Sequence, residues 1–266
     1  MARTLWSGSI SLGLVNVPVK VQGAITDKDV RFHLLHARDG ARVRFKRVCA
    51  KDGDELEQDQ IVRGYEISRG QYVTFTDAEL ENVDAKAART IDILHFVSGA
   101  EIDPAYYDKP HYLVPDKNAQ KAYGLLLAAL QKTKKVGIAR MVMREKEHLV
   151  ALRAKDGVLM METMHFNDEV VPSEAVASEV AASPSDLDKR QLDLAQQIID
   201  KMTVDFDPTQ YENRHRDRLL ALIDQKAAGK EVVLEPETAP GARAVDLLTA
   251  LETSLAQARQ KAKAAA

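Results

Sequence analysis

The chain has one cysteine, Cys49, in 266 residues. A single thiol excludes an intramolecular disulfide and any Cys-rich zinc site, and it agrees with a reducing compartment. A buried, inert thiol is the expected role. The strongest apolar run, residues 124–130, falls far short of the roughly 20 residues that span a bilayer. The opening MARTLWSGS has no signal-peptide core, so a cytoplasmic protein with no membrane partner is expected. The sequence also lacks GxxxxGK[ST], a GxGxxG after a strand, HExxH and GxSxG. His33 and His36 lie at i,i+3 in FHLLH with no third ligand fixed by spacing. Neither an enzyme nor a cofactor or metal site is expected. A basic excess, the usual cue for nucleic-acid binding, is missing too: the net charge is −3.

The total conceals a segregation. Residues 31–51 contain seven basic residues and one acid, residues 52–108 contain four and fourteen, and residues 109–157 contain eleven and four. Two basic blocks flank an acidic one, and local clustering rather than the sum sets the field a ligand meets.

β signals dominate the first 170 residues. The apolar positions run Ile10, Leu12, Leu14 and then change phase to Val15, Val17, Val19 and Val21, which predicts a bulge or bend near Leu14. Further strands are predicted at 42–49, 71–76, 90–97 and 111–115. A capping box of Thr76 and Glu79 opens one short helix, and Asn118 is the expected cap of another, KAYGLLLAALQKT. Many strands with few long helices point to a curled or barrel-like sheet. From Pro172 a small-residue linker leads to one helix with Ser185 and Asp188 as its capping pair and Leu192, Ala195, Ile199 and Met202 in register. A second helix is expected to start at Asp207-Pro208 and stop at Gly229. An extended stretch, EVVLEPETAPG, then precedes an amphipathic segment with Leu248, Leu251, Leu255 and Ala258 in a seam. That seam suits either a docking partner or packing onto its own domain.

VGIARMVMREKEHLVALRAKDG, residues 136–157, reads as a hairpin carrying three arginines. With Lys146-Glu147 as a two-residue loop, Arg144 faces Leu149 and Arg140 faces Arg153. Arg140, Arg144 and Arg153 then share one face, and Met141, Met143, Val150 and Leu152 form a core face behind it. A three-residue loop at 145–147 would remove Arg153 from the stripe. Guanidinium forks at two residues per roughly 6.6 Å suit a phosphate backbone, although arginines snorkelling over a solvated edge give the same pattern. RVRFKR aligns Arg42, Arg44 and Lys46 in the same way. Lys132, Lys134 and Lys135 end a helix, where cations offset the macrodipole without any ligand. An RNA- or single-strand-binding barrel is the alternative, but Tyr72 and Phe75 fall on opposite strand faces and the basic strands have few aromatic platforms.

Several blocks in consistent order resemble the bacterial Ku family of DNA end-binding proteins: LWSGSISLGLVNVPVKV, FHLLHARDGARVRFKRVC, GYEISRGQYVTFTDAEL, DKPHYLVPD, GIARMVMREKEHLVALR and FDPTQYENRHRDRLLALIDQK. Leu12 stands where phenylalanine is expected in the family, and the basic tail is short. The resemblance implies a mixed α/β fold dominated by a central β-barrel with an extended bridge hairpin, followed by an α-helical arm and a C-terminal helix. It places the barrel and bridge in residues 1–175, the linker and arm in 176–230, and an extended linker, ligase-docking helix and basic tail in 231–266. It further implies a homodimeric ring that threads double-stranded DNA ends, works in non-homologous end joining near the nucleoid, and recruits a multidomain ATP-dependent DNA ligase. By the same carry-over Arg140, Arg144 and Arg153 face DNA, with Arg42, Arg44 and Lys46 as further contacts, and residues 243–258 are the ligase-docking element; Lys132, Lys134 and Lys135 add support by their position, and the seam leucines Leu248, Leu251 and Leu255 are the candidate docking residues within 243–258.

Overall fold

A computed structural model describes residues 3–84, 89–144, 146–177, 188–229 and 247–264. The phase change near Leu14 proves to be a reversal of the chain, not a bulge. β1 (Thr4–Leu12) and β2 (Val15–Gly23) pair antiparallel through a tight turn, with Leu12 opposite Val15 and Gly13 at φ 59°. The alternation therefore continues across the turn, and Ile10, Val17, Val19 and Val21 all reach the core. The chain then leaves the sheet for a long excursion, residues 24–89, before β5 (Thr90–Ser98). β6 (Tyr107–Pro115), β7 (Lys135–Met143), β8 (Lys146–Lys155) and β9 (Val158–Met164) follow. The seven strands close a barrel in the order β1-β2-β6-β9-β8-β7-β5.

Closure depends on one parallel contact, in which Ser9, Ile10 and Ser11 of β1 pair with Thr90, Ile91 and Asp92 of β5. A side chain at Gly8 would overlap the Arg89 carbonyl and the Trp6 ring, so only glycine fits beside that seam. Inside the barrel Ile10, Val17, Val19, Val21, Ile91, Leu113, Val150, Leu152, Leu159 and Met161 are all at or below 1% exposure. α2 (Gln120–Thr133) plugs one opening with Tyr123, Leu126 and Leu130. Its cap position is Ala119, which offers no side-chain bond, and not Asn118; the start is fixed by burial of the apolar face instead.

Tyr123 joins two strands through its hydroxyl. The O–H donates to the Leu113 carbonyl at 2.8 Å, and the Leu159 amide donates to the Tyr123 hydroxyl oxygen at 2.8 Å. Burial raises the phenol pKa above its usual 10.0, so it keeps its proton at neutral pH. A Tyr123→Phe substitution strands a buried donor and a buried acceptor and should cost about 2 kcal/mol. Equilibrium urea unfolding checks it.

Residues 42–49 do not form a strand. The excursion instead folds as two small loops, fastened by isolated bridges between Leu35 and Arg42 and between Val48 and Glu55, and then a separate two-stranded sheet of β3 (Arg63–Ser68) and β4 (Gln71–Phe75). α1 (Asp77–Asp84) follows with its expected capping box: the Thr76 amide donates to Glu79 at 2.8 Å and the Glu79 amide donates to the Thr76 hydroxyl at 3.2 Å. Cys49 in this excursion is half-buried, not buried as expected.

Residues 1–28 and 33–171 form one compact unit, and residues 29–32 and 172–266 a second. In the second, α3 (Glu174–Ala177) is followed by α4 (Lys189–Met202), capped by Asp188, whose carboxylate accepts from the Arg190 amide at 2.9 Å. Ser185 and the linker at 178–187 lie outside the described residues. Asp207-Pro208 caps only a three-residue turn; α5 (Arg214–Ala227) begins later, with the Asn213 side chain accepting from the Arg216 amide, and Gly229 at φ 69° ends it as expected. α6 (Leu247–Ala264) packs along α4. The extended stretch before it, 230–246, is outside the described residues. No described helix is long and apolar enough to cross a membrane.

Candidate nucleic-acid interface

The opening question for any phosphate-binding surface is which cations are free. The β7–β8 hairpin turns between Met143 and Lys146, not at Lys146-Glu147: Met143 pairs with Lys146 and Arg140 with Leu149. Arg144 takes φ 55°, the positive φ common in tight hairpin turns of matching twist. The register differs from expectation by four residues, an even number, so the faces are kept. Ala139, Met141, Met143, Val150 and Leu152 point into the core, and Arg140 and Arg153 share the outer face. Arg144 leaves that face and sits exposed at the tip.

The outer face is not one continuous arginine stripe. Between Arg140 and Arg153 lie Ile138 and Ala151, buried in a second apolar cluster with Val136 and Met164 and flanked by Ile102, Tyr106 and Leu149. Arg153 is also held by a carboxylate. Its Nη2 is 2.7 Å from Glu162 Oε1 and its Nε 3.2 Å from Glu162 Oε2, a two-point fork with the carboxylate only 14% exposed. That pair raises the guanidinium pKa further. Arg140 pairs more loosely with Glu147 at 3.3 Å, both half-exposed to solvent, a contact that a phosphate can replace at little cost.

Lys132, Lys134 and Lys135 form a compact exposed group where α2 enters β7, and none has an acidic partner among the described residues. Lys134 is the left-handed cap at φ 54°, its amide donating to the Leu130 carbonyl at 2.9 Å. The helix-cap explanation therefore accounts for the backbone, while the three ammonium groups remain available to solvent.

In the excursion Arg42 and Arg44 are exposed and likewise have no ion pair among the described residues, whereas Lys46 reaches Glu55 at 2.6 Å. Arg47, on the opposite side, bonds Gln58. Two cations that the alternation did not single out, Arg38 and Lys51, stand exposed at the tips of the two loops. Their signal was present: each precedes Asp-Gly, and Gly40 at φ 71° and Gly53 at φ 82° make the turns. Asp39 accepts from the Ala41 amide at 2.9 Å and Asp52 from the Asp54 amide at 3.1 Å. Those amide bonds, with His36 beside Asp39 and Cys49 beside Asp52, hold both carboxyls below their usual range. His36 is thus occupied by Asp39, and among the described residues no cluster of His, Cys, Asp or Glu could hold a metal ion.

The expected docking leucines lie on α6. Leu255 is buried, and Leu248 and Leu251 are half-buried. The side chain of Ala258 lies outside the described set.

Residues 11–194 match the family model described as Ku70/Ku80 beta-barrel domain. Over 262 residues the chain is 43% identical to the non-homologous end joining protein Ku of Anaeromyxobacter sp. (strain K), covering 98% of this chain and 88% of that one. It is 40% identical to the protein of the same name from Archaeoglobus fulgidus, over 87% of this chain and 91% of the relative, and 37% identical to that of Bacillus subtilis (strain 168), over 97% and 83%. A closed barrel and near-full-length identity at this level agree: the chain belongs to the Ku family.

Proposed function

We propose that this protein binds double-stranded DNA ends without sequence preference, as a homodimer closed into a ring, and acts in non-homologous end joining. The observation that carries the reading is the excursion at 24–89. It departs from a closed barrel and, among the described residues, keeps no side chain buried and bears a basic series, Arg38, Arg42, Arg44 and Lys51, without ion pairs. Phe32 and Phe45 on it are 68% and 84% exposed. Such a segment gains little by itself from folding, since exposed apolar groups stabilise only when covered. A second copy of the chain supplies that cover, and two excursions enclose a duplex.

Arg38, Arg42, Arg44 and Lys51, with Lys132, Lys134, Lys135, Arg140 and Arg144, then contact phosphates, and no base is read. Arg153 belongs to the framework. In this reading the basic first part of the excursion, residues 31–51, turns to the duplex and the acidic residues that follow it, within 52–108, turn away, which is why a net charge of −3 is no obstacle. The protein protects and bridges the ends, works at the nucleoid, and recruits a multidomain ATP-dependent DNA ligase through α6; it performs no chemistry itself.

Titration of a linear duplex over a range of salt tests this. With roughly three to six of these nine cations engaged on phosphates at any one time in each protomer, log K should fall with log salt at a slope between about −5 and −11 for the dimer. Single strands of equal length should compete weakly. A shallow slope, or single strands that compete as well as duplex, would favour the single-strand-binding alternative instead.

A further inference from the structure

The seam that would dock a ligase is not free. α6 lies along α4, and the half-buried positions of α4, Gln191, Leu194, Ala195 and Ile198, recur at i, i+3, i+4 and i+7 on one face. On α6 Leu255 is 6% exposed, with Leu251 and Leu248 half-buried one and two turns earlier. Arg190 Nη2 meets Glu252 Oε1 at 2.8 Å and fixes the register. The same leucines cannot face α4 and a second protein at once.

We propose that α4 is a built-in competitor for α6, so that the docking seam is sheathed until a partner displaces it. The inference rests on the reading that α6 receives the ligase. Its physical basis is the thinness of the contact. Among the described residues the contact shows one apolar seam and one exposed ion pair, which do not make a permanent core, and helices of this length depend on tertiary packing to persist. Ligase affinity is then reduced by the fraction of molecules with α6 engaged, and weakening the α4 side raises it.

The test uses the full chain and the purified multidomain ligase. Leu194→Asn removes the α4 half of the seam and leaves α6 untouched; Arg190→Glu breaks the register pair, and Arg190→Glu with Glu252→Arg restores it. Expected are faster amide hydrogen exchange across 248–257 in both single variants, return to the wild-type rate in the double swap, and ligase binding about tenfold tighter for Leu194→Asn. Unchanged exchange in both single variants would overturn the sheath whatever the ligase does. Faster exchange with unchanged or weaker ligase binding would overturn the competition while leaving recruitment intact. No ligase binding by any variant, with exchange responding as expected, would overturn the recruitment reading and with it the competition.

Discussion

Reversing Arg140 and Arg144 together, as Arg140→Glu with Arg144→Glu, should lower affinity for a linear duplex by about 100- to 1,000-fold near 0.15 M salt. The double variant removes two phosphate contacts from each protomer and therefore four from a dimer. Each contact releases close to one counterion and is worth roughly 0.7 log unit at that ionic strength, before any repulsion from the new carboxylates. The salt slope should flatten by about 3.6 at the same time. Neither side chain is in the core: Arg140 is 58% exposed with only the loose Glu147 contact, and Arg144 is in the turn. Thermal unfolding should accordingly be almost unchanged. A gel shift across salt, run beside a sizing column, separates loss of binding from loss of assembly.

Arg153→Ala is expected to do the reverse. Removing a partner from a buried ion pair costs about 3–5 kcal/mol, and because the Arg153 side chain is 33% exposed the expected loss is discounted to about 2 kcal/mol. Glu162, at 14% exposure, is left without its fork, and the Nη2 contact with Met160 is lost with it. The salt slope for DNA should stay as in the wild type. Replacing Arg153 and Glu162 together, by methionine and leucine, should recover much of the stability, since an uncharged pair leaves no desolvated charge behind. Urea midpoints for the single and double variants measure the difference, and a slope that flattens in Arg153→Ala would return this residue to the binding surface.

These two arginines show where sequence reading reached and where it stopped. A period of two assigned Arg140 and Arg153 to one face and Met141, Met143, Val150 and Leu152 to the other, and a shift of four residues left that parity intact. Parity says nothing of what lies on the neighbouring strand. Glu162 belongs to β9, where VLMMETM carries no alternation because both faces of the strand are covered: Leu159 and Met161 inside, Met160 and Met164 outside. The Asp156-Gly157 turn before it, at φ 48° and 81°, was the available signal for that strand.

The barrel itself was legible from the crowding of short strands, but its closure was not. Only a structure reveals that Gly8 admits the Arg89 carbonyl where β1 meets β5. In the excursion the charge count was informative and the assigned strand was not. RVRFKR alternates as a strand would, yet no adjacent strand pairs with it, so Arg42 and Arg44 are presented by loops hinged on Asp-Gly turns. For α6 the leucine seam was visible, and its alternative partner, α4, was left open by the sequence because the half-buried stripe of α4 runs through Leu194 and Ile198, beside the Leu192 and Ile199 of the expected seam.

A ring that threads onto DNA from an end distinguishes two topologies of one fragment. The same duplex is offered as a linear molecule and as a covalently closed relaxed circle, at equal length and salt. Threading should retain the linear form, give no stable complex on the circle, and recover binding when a restriction cut opens the circle. Equal affinity for both forms would contradict it, because a surface that binds phosphates without encircling them has no means of sensing an end.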